Sequence, residues 1–353
     1  MAHLDPTRDI VTLTADLVDV ASESFGEQEL ADAVEQVLQD QAHLDVTRDG
    51  HTLVARTSLG RAERVVIAGH LDTVPANDNF PSRLEGDVLW GLGSCDMKGG
   101  VAVALKLAAT VAEPVRDVTY VLYEAEEVAA VHNGLGRIAR EQPDLLAADF
   151  AILMEPSDAG VEAGCQGTMR IDVMARGERA HSARSWRGSN AIHAVSPVLA
   201  KLAAYEPRRV VIDGLEYREG LNAVGISGGV AGNVVPDEAC VSINYRFAPD
   251  LTEEQALAHL HELFGEYEIV VTDTAPGALP GLERPAAAAF IEAIGATPRP
   301  KFGWTDVAQF TQLGVPAVNY GPGDPLYAHK QDEHVSTAQL VAVEDALRRW
   351  LSP

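Results

Sequence analysis

Basic residues are scarce in this 353-residue chain: 27 lysines and arginines stand against 52 aspartates and glutamates, a formal charge of −25. Nucleic acid and anionic membrane both need a basic face, so neither is expected as a partner. Cysteine is nearly absent too. Cys95, Cys165 and Cys240 are odd in number and lack metal-knuckle spacing, which argues against a disulfide framework. Reduced thiols point to the cytoplasm. No apolar run reaches the ~18 residues of a membrane span. Acids are scattered through the first 22 residues, so neither a secretory signal nor an anchor is expected there. There is no internal repeat and no low-complexity tract. Gly91-x-Gly93 lacks the strand-to-helix context of a phosphate loop, which removes the nucleotide-binding reading.

What is present suits a folded protein with a large core: 46% of residues are apolar and 22% charged. The length suggests about two domains. "RVVIAGHLDTVP" (64–75), "DVTYVLYEAEE" (117–127), "DFAILMEPS" (149–157) and "GVPAVNYGPGD" (314–324) open or run as Val/Ile/Leu stretches typical of strands covered on both faces. Residues 7–22, 27–43, 97–113 and 336–351 show helical spacing, and Asp5-Pro6-Thr7 is the expected start of the first helix. The middle reads differently. Strands at 168–177 and 238–248 alternate, helices fall at 189–205 and 252–266, and "YEIVVTD" closes as a strand. With the short extended pieces merged, the order is β-α-β-β-α-β, that of a ferredoxin-like domain. An α/β domain with a central mixed sheet, residues 1–166 and 281–353, is therefore expected to be interrupted by an α+β domain at 167–280.

Chemistry-bearing residues gather where the apolar runs stop. The first run ends in His70-Leu71-Asp72, the second in Glu126-Glu127 and the third in Glu155, while the fourth leads into a loop that reaches His329. Asp96 stands at the head of the helix that begins near Met97. Singly these are ordinary: an Asp before a helix is usually a cap. Together they lie at the carboxyl ends of strands, where open α/β sheets bind ligands. A mixed nitrogen and oxygen donor set suits zinc or a similar ion. The surplus of carboxylates over imidazoles points to two ions sharing a bridging carboxylate. Such ions would also compensate the adjacent acids Glu126 and Glu127, whose burial is otherwise costly.

The segments "GHLDTVP", "WGLGSCDMKGG", "YEAEE", "MEPS" and "AHKQDEH" resemble the M20 family of co-catalytic metallopeptidases and N-acyl amino acid deacylases. The resemblance covers essentially the whole chain. It implies a zinc-peptidase-like catalytic domain, an inserted lid and dimerisation domain, and two Zn2+ or Co2+ ions per subunit. It implies that His70 and Glu155 bind one ion, Glu127 and His329 the other, and Asp96 both. Glu126 would be the general base, and Asp72 would hold the second nitrogen of His70. His181, in "GERAHSARSWRGSNAIH", would donate to the oxyanion across a homodimer interface. Asn233 and Arg246, in "VAGNVVPDEACVSINYRF", would grip the carboxylate of a small-molecule substrate, with Thr305 a further contact. Some branches of the family carry a basic pair where this chain has Cys165-Gln166, and a Thr-Ser-Asp turn where it has Trp304-Thr305-Asp306.

Other residues have plainer expectations. His193, His259, His261 and His334 read as packing or surface, His132 as a neighbour of the glutamate pair, Cys95 as a small buried thiol. Trp186 and Trp304 could line a pocket or simply pack. Two competing readings remain: another deacylase or dipeptidase of the same family, and an inactive binding protein that keeps the fold.

Overall fold

The computed structural model describes residues 3–352. The chain divides into two compact units. One comprises the residues up to Ala163 with Pro280–Arg299 and those from Gln309 on; the other comprises Gly164–Leu279 and Pro300–Ala308.

The first unit is built on an eight-stranded mixed sheet. Its order is Asp45–Asp49, Thr52–Arg56, Asp117–Tyr123, Arg64–His70, Phe150–Leu153, Ala317–Asn319, Glu162–Ala163, Arg299–Pro300. The central strands are the apolar runs of the sequence, and they pair in parallel. The Thr52–Arg56 and Glu162–Ala163 strands join them antiparallel. The helix Lys98–Thr110 packs on the Arg64–His70 strand and against the helices Ile10–Val18, Gln28–Gln39 and Thr337–Leu351. It is buried from Lys98 through Ala108 apart from its last turn, which matches the near-absence of polar residues along it.

Three local features differ from the sequence reading. The first helix starts at Ile10, because the Asp9 side chain accepts the Thr12 amide at 3.0 Å and caps it. Asp45–Asp49 and Thr52–Arg56 form a hairpin, turned at Gly50 with φ 63°. His334–Ser336, Val88–Trp90 and Arg83–Glu85 form a separate small sheet.

The second unit carries a four-stranded antiparallel sheet, ordered Gly220–Gly228, Glu238–Phe247, Gly167–Arg176, Glu268–Ala275. In chain order this is 2-3-1-4, the ferredoxin-like arrangement. Its core joins Ile171, Val173, Val241 and Ile243 of the sheet to Val198, Leu260 and Phe264 of the helices and to Val195 between two of them. Thr252 and Gln255 form a capping box at the start of Glu253–Phe264. The helix expected over 189–205 is split into Ala191–Ala194 and Ser196–Ala203. Pro197 sits at the join and lacks the N–H a continuous helix would need. Among the described residues, no helix is long and apolar enough to cross a membrane.

Candidate metal centre

Parallel pairing brings the strand ends of the first unit into line. Leu71 N donates to Tyr123 O at 2.7 Å, Met154 N to Ala68 O at 2.8 Å and Tyr320 N to Leu153 O at 2.8 Å. The loops that carry Asp72, Glu126-Glu127, Glu155 and His329 therefore leave from one edge. Asp96 arrives at that edge ahead of the Lys98–Thr110 helix, through a cis Asp96–Met97 peptide. A Cβ at Gly100 would collide with the carbonyl oxygen of Met154, so only glycine lets this helix approach the strand end beside Glu155.

The Asp96 carboxylate lies between two imidazoles. His70 Nε2 is 3.2 Å from Oδ1 and His329 Nε2 is 3.4 Å from Oδ2. His329 Nε2 is also 2.8 Å from Glu127 Oε1. Donor atoms of His70, Asp96 and Glu127 all fall within 4.8 Å of one another, a group that could hold an ion. Glu155 is not among those three. It is 5% exposed, and after burial and the larger effects of Asp96, Glu333 and Asp324 it adds to what raises the pKa of the Cys95 thiol, beside Asp96 in sequence.

Asp72 is fully buried and has several partners. Its backbone carbonyl is 3.0 Å from His70 Nδ1, while its carboxylate is 3.5 Å away. The carboxylate oxygens accept the amides of Glu126 at 3.0 Å and Glu127 at 3.1 Å and the Ser24 hydroxyl at 2.7 Å. Asp72 thus faces the histidine and also the backbone of the glutamate pair.

The electrostatics follow from this crowding. Hydrogen bonds to Asp96 and then Glu127 push the His329 pKa up to about 10. Burial works against charge on His70, yet Asp72 and Asp96 raise its pKa well above the ordinary value. Burial also opposes ionisation of Asp96, but its bonds to His329 and His70 hold it below the usual carboxylate range. Lys98, the one cation close in sequence, points elsewhere: its Nζ donates to Val20 O at 2.7 Å, and burial lowers its pKa to about 7.

These residues fit a divalent metal. In the neutral ring, a His70 Nδ1 proton directed at the Asp72 carbonyl would leave the Nε2 lone pair facing Asp96, the tautomer a metal ligand requires. Each oxygen of Asp96 faces a different imidazole, as suits a bridging carboxylate.

The remaining candidates belong to the second unit. His181 is exposed, and its Nδ1 accepts the Ala183 amide at 3.1 Å, so Nε2 carries the proton of the neutral ring. Ser182 N donates to Asn233 O at 2.9 Å, which ties the backbones bearing His181 and Asn233 together. Arg246 is half-buried on the Glu238–Phe247 strand, opposite Gly220 and Thr168. Thr305 is 4% exposed, its hydroxyl has no hydrogen-bond partner, and its carbonyl accepts the Cys165 thiol at 3.6 Å.

Several residues outside that set also have defined partners. His334 is stacked between Trp90 and Tyr327, with centroids at 4.4 and 4.0 Å. Glu124 pairs with Arg137 at 2.6 Å. His132 is exposed and meets Phe25 edge-on. Trp304 Nε1 donates to Pro276 O at 3.0 Å, and the buried Cys95 thiol to Asp324 O at 3.2 Å. The sequence reading passed over Glu333, 1% exposed, whose Oε1 accepts both Cys95 N at 3.1 Å and Asp96 N at 3.0 Å. Its place four residues after His329, in the same short motif, was the available signal.

The model of peptidase family M20/M25/M40 matches residues 66–352. A Mycobacterium tuberculosis protein, provisionally named a succinyl-diaminopimelate desuccinylase, is 55% identical over 351 residues, 99% of each chain. The succinyl-diaminopimelate desuccinylase of Corynebacterium glutamicum is 48% identical over 360 residues, 99% of this chain and 98% of its own. Among solved structures, a Staphylococcus aureus tripeptidase superposes with TM-score 0.79 at 20% identity, over 99% of this chain and 98% of that one. A Bacillus subtilis protein, described as a dinuclear metal binding peptidase from the M20 family, superposes with TM-score 0.69 at 16% identity, over 97% and 96%.

Proposed function

The chain belongs to peptidase family M20/M25/M40, and from that premise we propose that it is a metal-dependent amidohydrolase acting on N-succinyl-LL-2,6-diaminopimelate. The products are succinate and LL-2,6-diaminopimelate, on the route to lysine. One observation carries the hydrolytic chemistry: His70, Asp96, His329 and Glu127, from distant parts of the chain, form a continuous series of contacts of 3.2, 3.4 and 2.8 Å. The choice of substrate rests on the full-length similarity to the two actinobacterial proteins.

His70 and Glu155 would hold one ion, Glu127 and His329 the second, and Asp96 both; zinc or cobalt suits such a donor set. When bound, the ions acidify water and polarise the scissile carbonyl. Glu126 takes the proton of the attacking water and returns it to the leaving amine as the amide C–N bond breaks. Asp72 keeps His70 in the ligating tautomer and fixes the Glu126 and Glu127 amides. His181 donates from Nε2 to the developing oxyanion of the partner subunit's site, which makes the working unit a homodimer. Asn233 and Arg246 grip a substrate carboxylate, and Thr305 is a further substrate contact. The three free cysteines suit a cytoplasmic setting.

Purified protein, loaded with zinc or cobalt, is to be offered N-succinyl-LL-2,6-diaminopimelate, N-acetylornithine and a dipeptide. The succinyl substrate is expected to show the highest kcat/KM. Preference for N-acetylornithine or the dipeptide would overturn the substrate assignment and leave another deacylase or dipeptidase of the family, a reading favoured by Cys165-Gln166 in place of a basic pair.

A further inference from the structure

Three consecutive backbone amides at the head of the candidate site donate to buried carboxylates. Ala125 N donates to Glu27 Oε1 at 3.2 Å, Glu126 N to Asp72 Oδ1 at 3.0 Å and Glu127 N to Asp72 Oδ2 at 3.1 Å. Glu27 comes from a part of the chain that supplies nothing else to the chemistry. It is fully buried, and it stands at the N-cap of Gln28–Gln39 without capping that helix. Its side chain is turned instead toward the loop that bears the glutamate pair.

That loop needs holding. Ala125 adopts φ 58°, a left-handed conformation that alanine avoids without support. This twist separates the course of the Asp117–Tyr123 strand from the direction in which Glu126 and Glu127 leave it. The bond from Glu27 lands on the twisted residue itself.

Glu27 is in turn part of a clip. Ser22 Oγ donates to Leu71 O at 2.7 Å, Thr73 N to Ser22 O at 3.0 Å, Ser24 N to Thr73 O at 3.1 Å and Ser24 Oγ to Asp72 Oδ2 at 2.7 Å. A chain turn through Phe25, φ 73°, then brings Glu27 back to Ala125. Residues 22–27 thereby tie the loop carrying Asp72 to the loop carrying Glu126 and Glu127.

The surroundings of Glu27 suit a support better than a third ion. Its carboxylate, His51 and Glu124 offer donor atoms within 4.8 Å of one another. Glu124, however, already accepts from Arg137 at 2.6 Å and from His51 N at 3.1 Å. Arg48 lies 3.3 Å from His51 Nδ1, and a guanidinium can only donate, so that nitrogen accepts and the other holds the proton of the neutral ring.

We infer that Glu27 is a positioning residue for the general base: through Ala125 N it fixes the twist that aims Glu126, whereas Glu127 is held separately by Asp72 and His329. The inference rests on the roles proposed above for those two glutamates. Its test uses the metal-loaded full chain with Glu27→Asp, Glu27→Gln and Glu126→Gln. Aspartate keeps the charge but is one methylene too short to reach Ala125 N; glutamine loses the charge but keeps an acceptor at the same reach. Glu27→Asp is expected to lower kcat about 10–100-fold, with KM and bound metal unchanged, and Glu27→Gln to recover most of that loss. Wild-type kcat in Glu27→Asp would overturn the inference. So would equal losses in both variants, which would make charge the decisive property, or loss of bound metal in Glu27→Gln, which would make Glu27 a ligand. Full activity in Glu126→Gln would overturn the general-base role and this inference with it, an outcome distinct from the other three.

Discussion

His329 Nε2 lies 2.8 Å from Glu127 Oε1 and 3.4 Å from Asp96 Oδ2, across 202 residues of sequence to the first of them. With no ion present the two carboxylates keep this imidazole protonated until about pH 10. A metal needs the neutral ring, so loading must expel the proton. Calorimetric zinc titrations of chelated protein, run near neutral pH in buffers of different ionisation enthalpy, are expected to show net proton release and an affinity that falls as pH falls. Heats that do not depend on the buffer would contradict this.

The same shift affects stability. The folded pKa of His329 stands above its ordinary 6.5, so its contribution is complete below that value and is lost as pH rises through about 10. Asp96 runs the other way: its pKa is depressed, so its contribution is present above the ordinary 3.8 and disappears as pH falls further. Melting temperatures in excess chelator are expected to decline between 6.5 and 10, and saturating zinc is expected to flatten that decline. A flat alkaline limb under chelator would refute the assignment.

Glu333 provides a test of how Asp96 is held. Its carboxylate accepts two buried amides, Cys95 N and Asp96 N, while burial raises its own pKa to about 7. Glu333→Ala leaves those amides without an acceptor, at a cost of about 1–3 kcal/mol each. Zinc affinity, measured against a competing chelator, is expected to fall about 10–100-fold, and Glu333→Gln is expected to lose much less. Wild-type affinity in Glu333→Ala would show that the amides do not depend on it.

Much of the fold was legible, for a physical reason. Strands such as 64–70, 117–123 and 150–153 are buried on both faces, so their composition alone marks them. The hairpin at Asp45–Arg56 has charged residues along its outer strand and left no such mark. The helix over 189–205 read as continuous because apolar spacing outweighed Pro197. In the candidate site, His70, Asp96, Glu127 and His329 stood out because acids and imidazoles at strand ends are chemically conspicuous. Glu27, Ser24 and Glu333 did not. Each acts on a backbone amide or on another acid, work that depends on tertiary placement; of the three, Glu333 alone carried a local signal, its place four residues after His329.

His181 offers a prediction about subunits. Its Nδ1 is occupied by Ala183 N, so only Nε2–H is available to donate. His181→Ala is expected to cost about 10²–10³-fold in kcat. If the donor crosses a dimer interface, mixing inactive His181→Ala with inactive Glu126→Gln under subunit exchange restores roughly a quarter of wild-type activity, because only heterodimers contain one intact site. No recovery, with exchange verified, would place the donor in its own subunit's site or outside the reaction.

The most direct measurement counts ions and turnover together in wild type and Asp96→Asn. Chelated wild-type chain is expected to be inactive, to bind two zinc or cobalt ions per subunit on reconstitution, and to regain hydrolysis as they bind. Asp96→Asn is expected to hold fewer ions and to lose turnover by orders of magnitude. Hydrolysis that survives exhaustive chelation, or an Asp96→Asn chain with full metal content and wild-type rate, would contradict a shared metal centre.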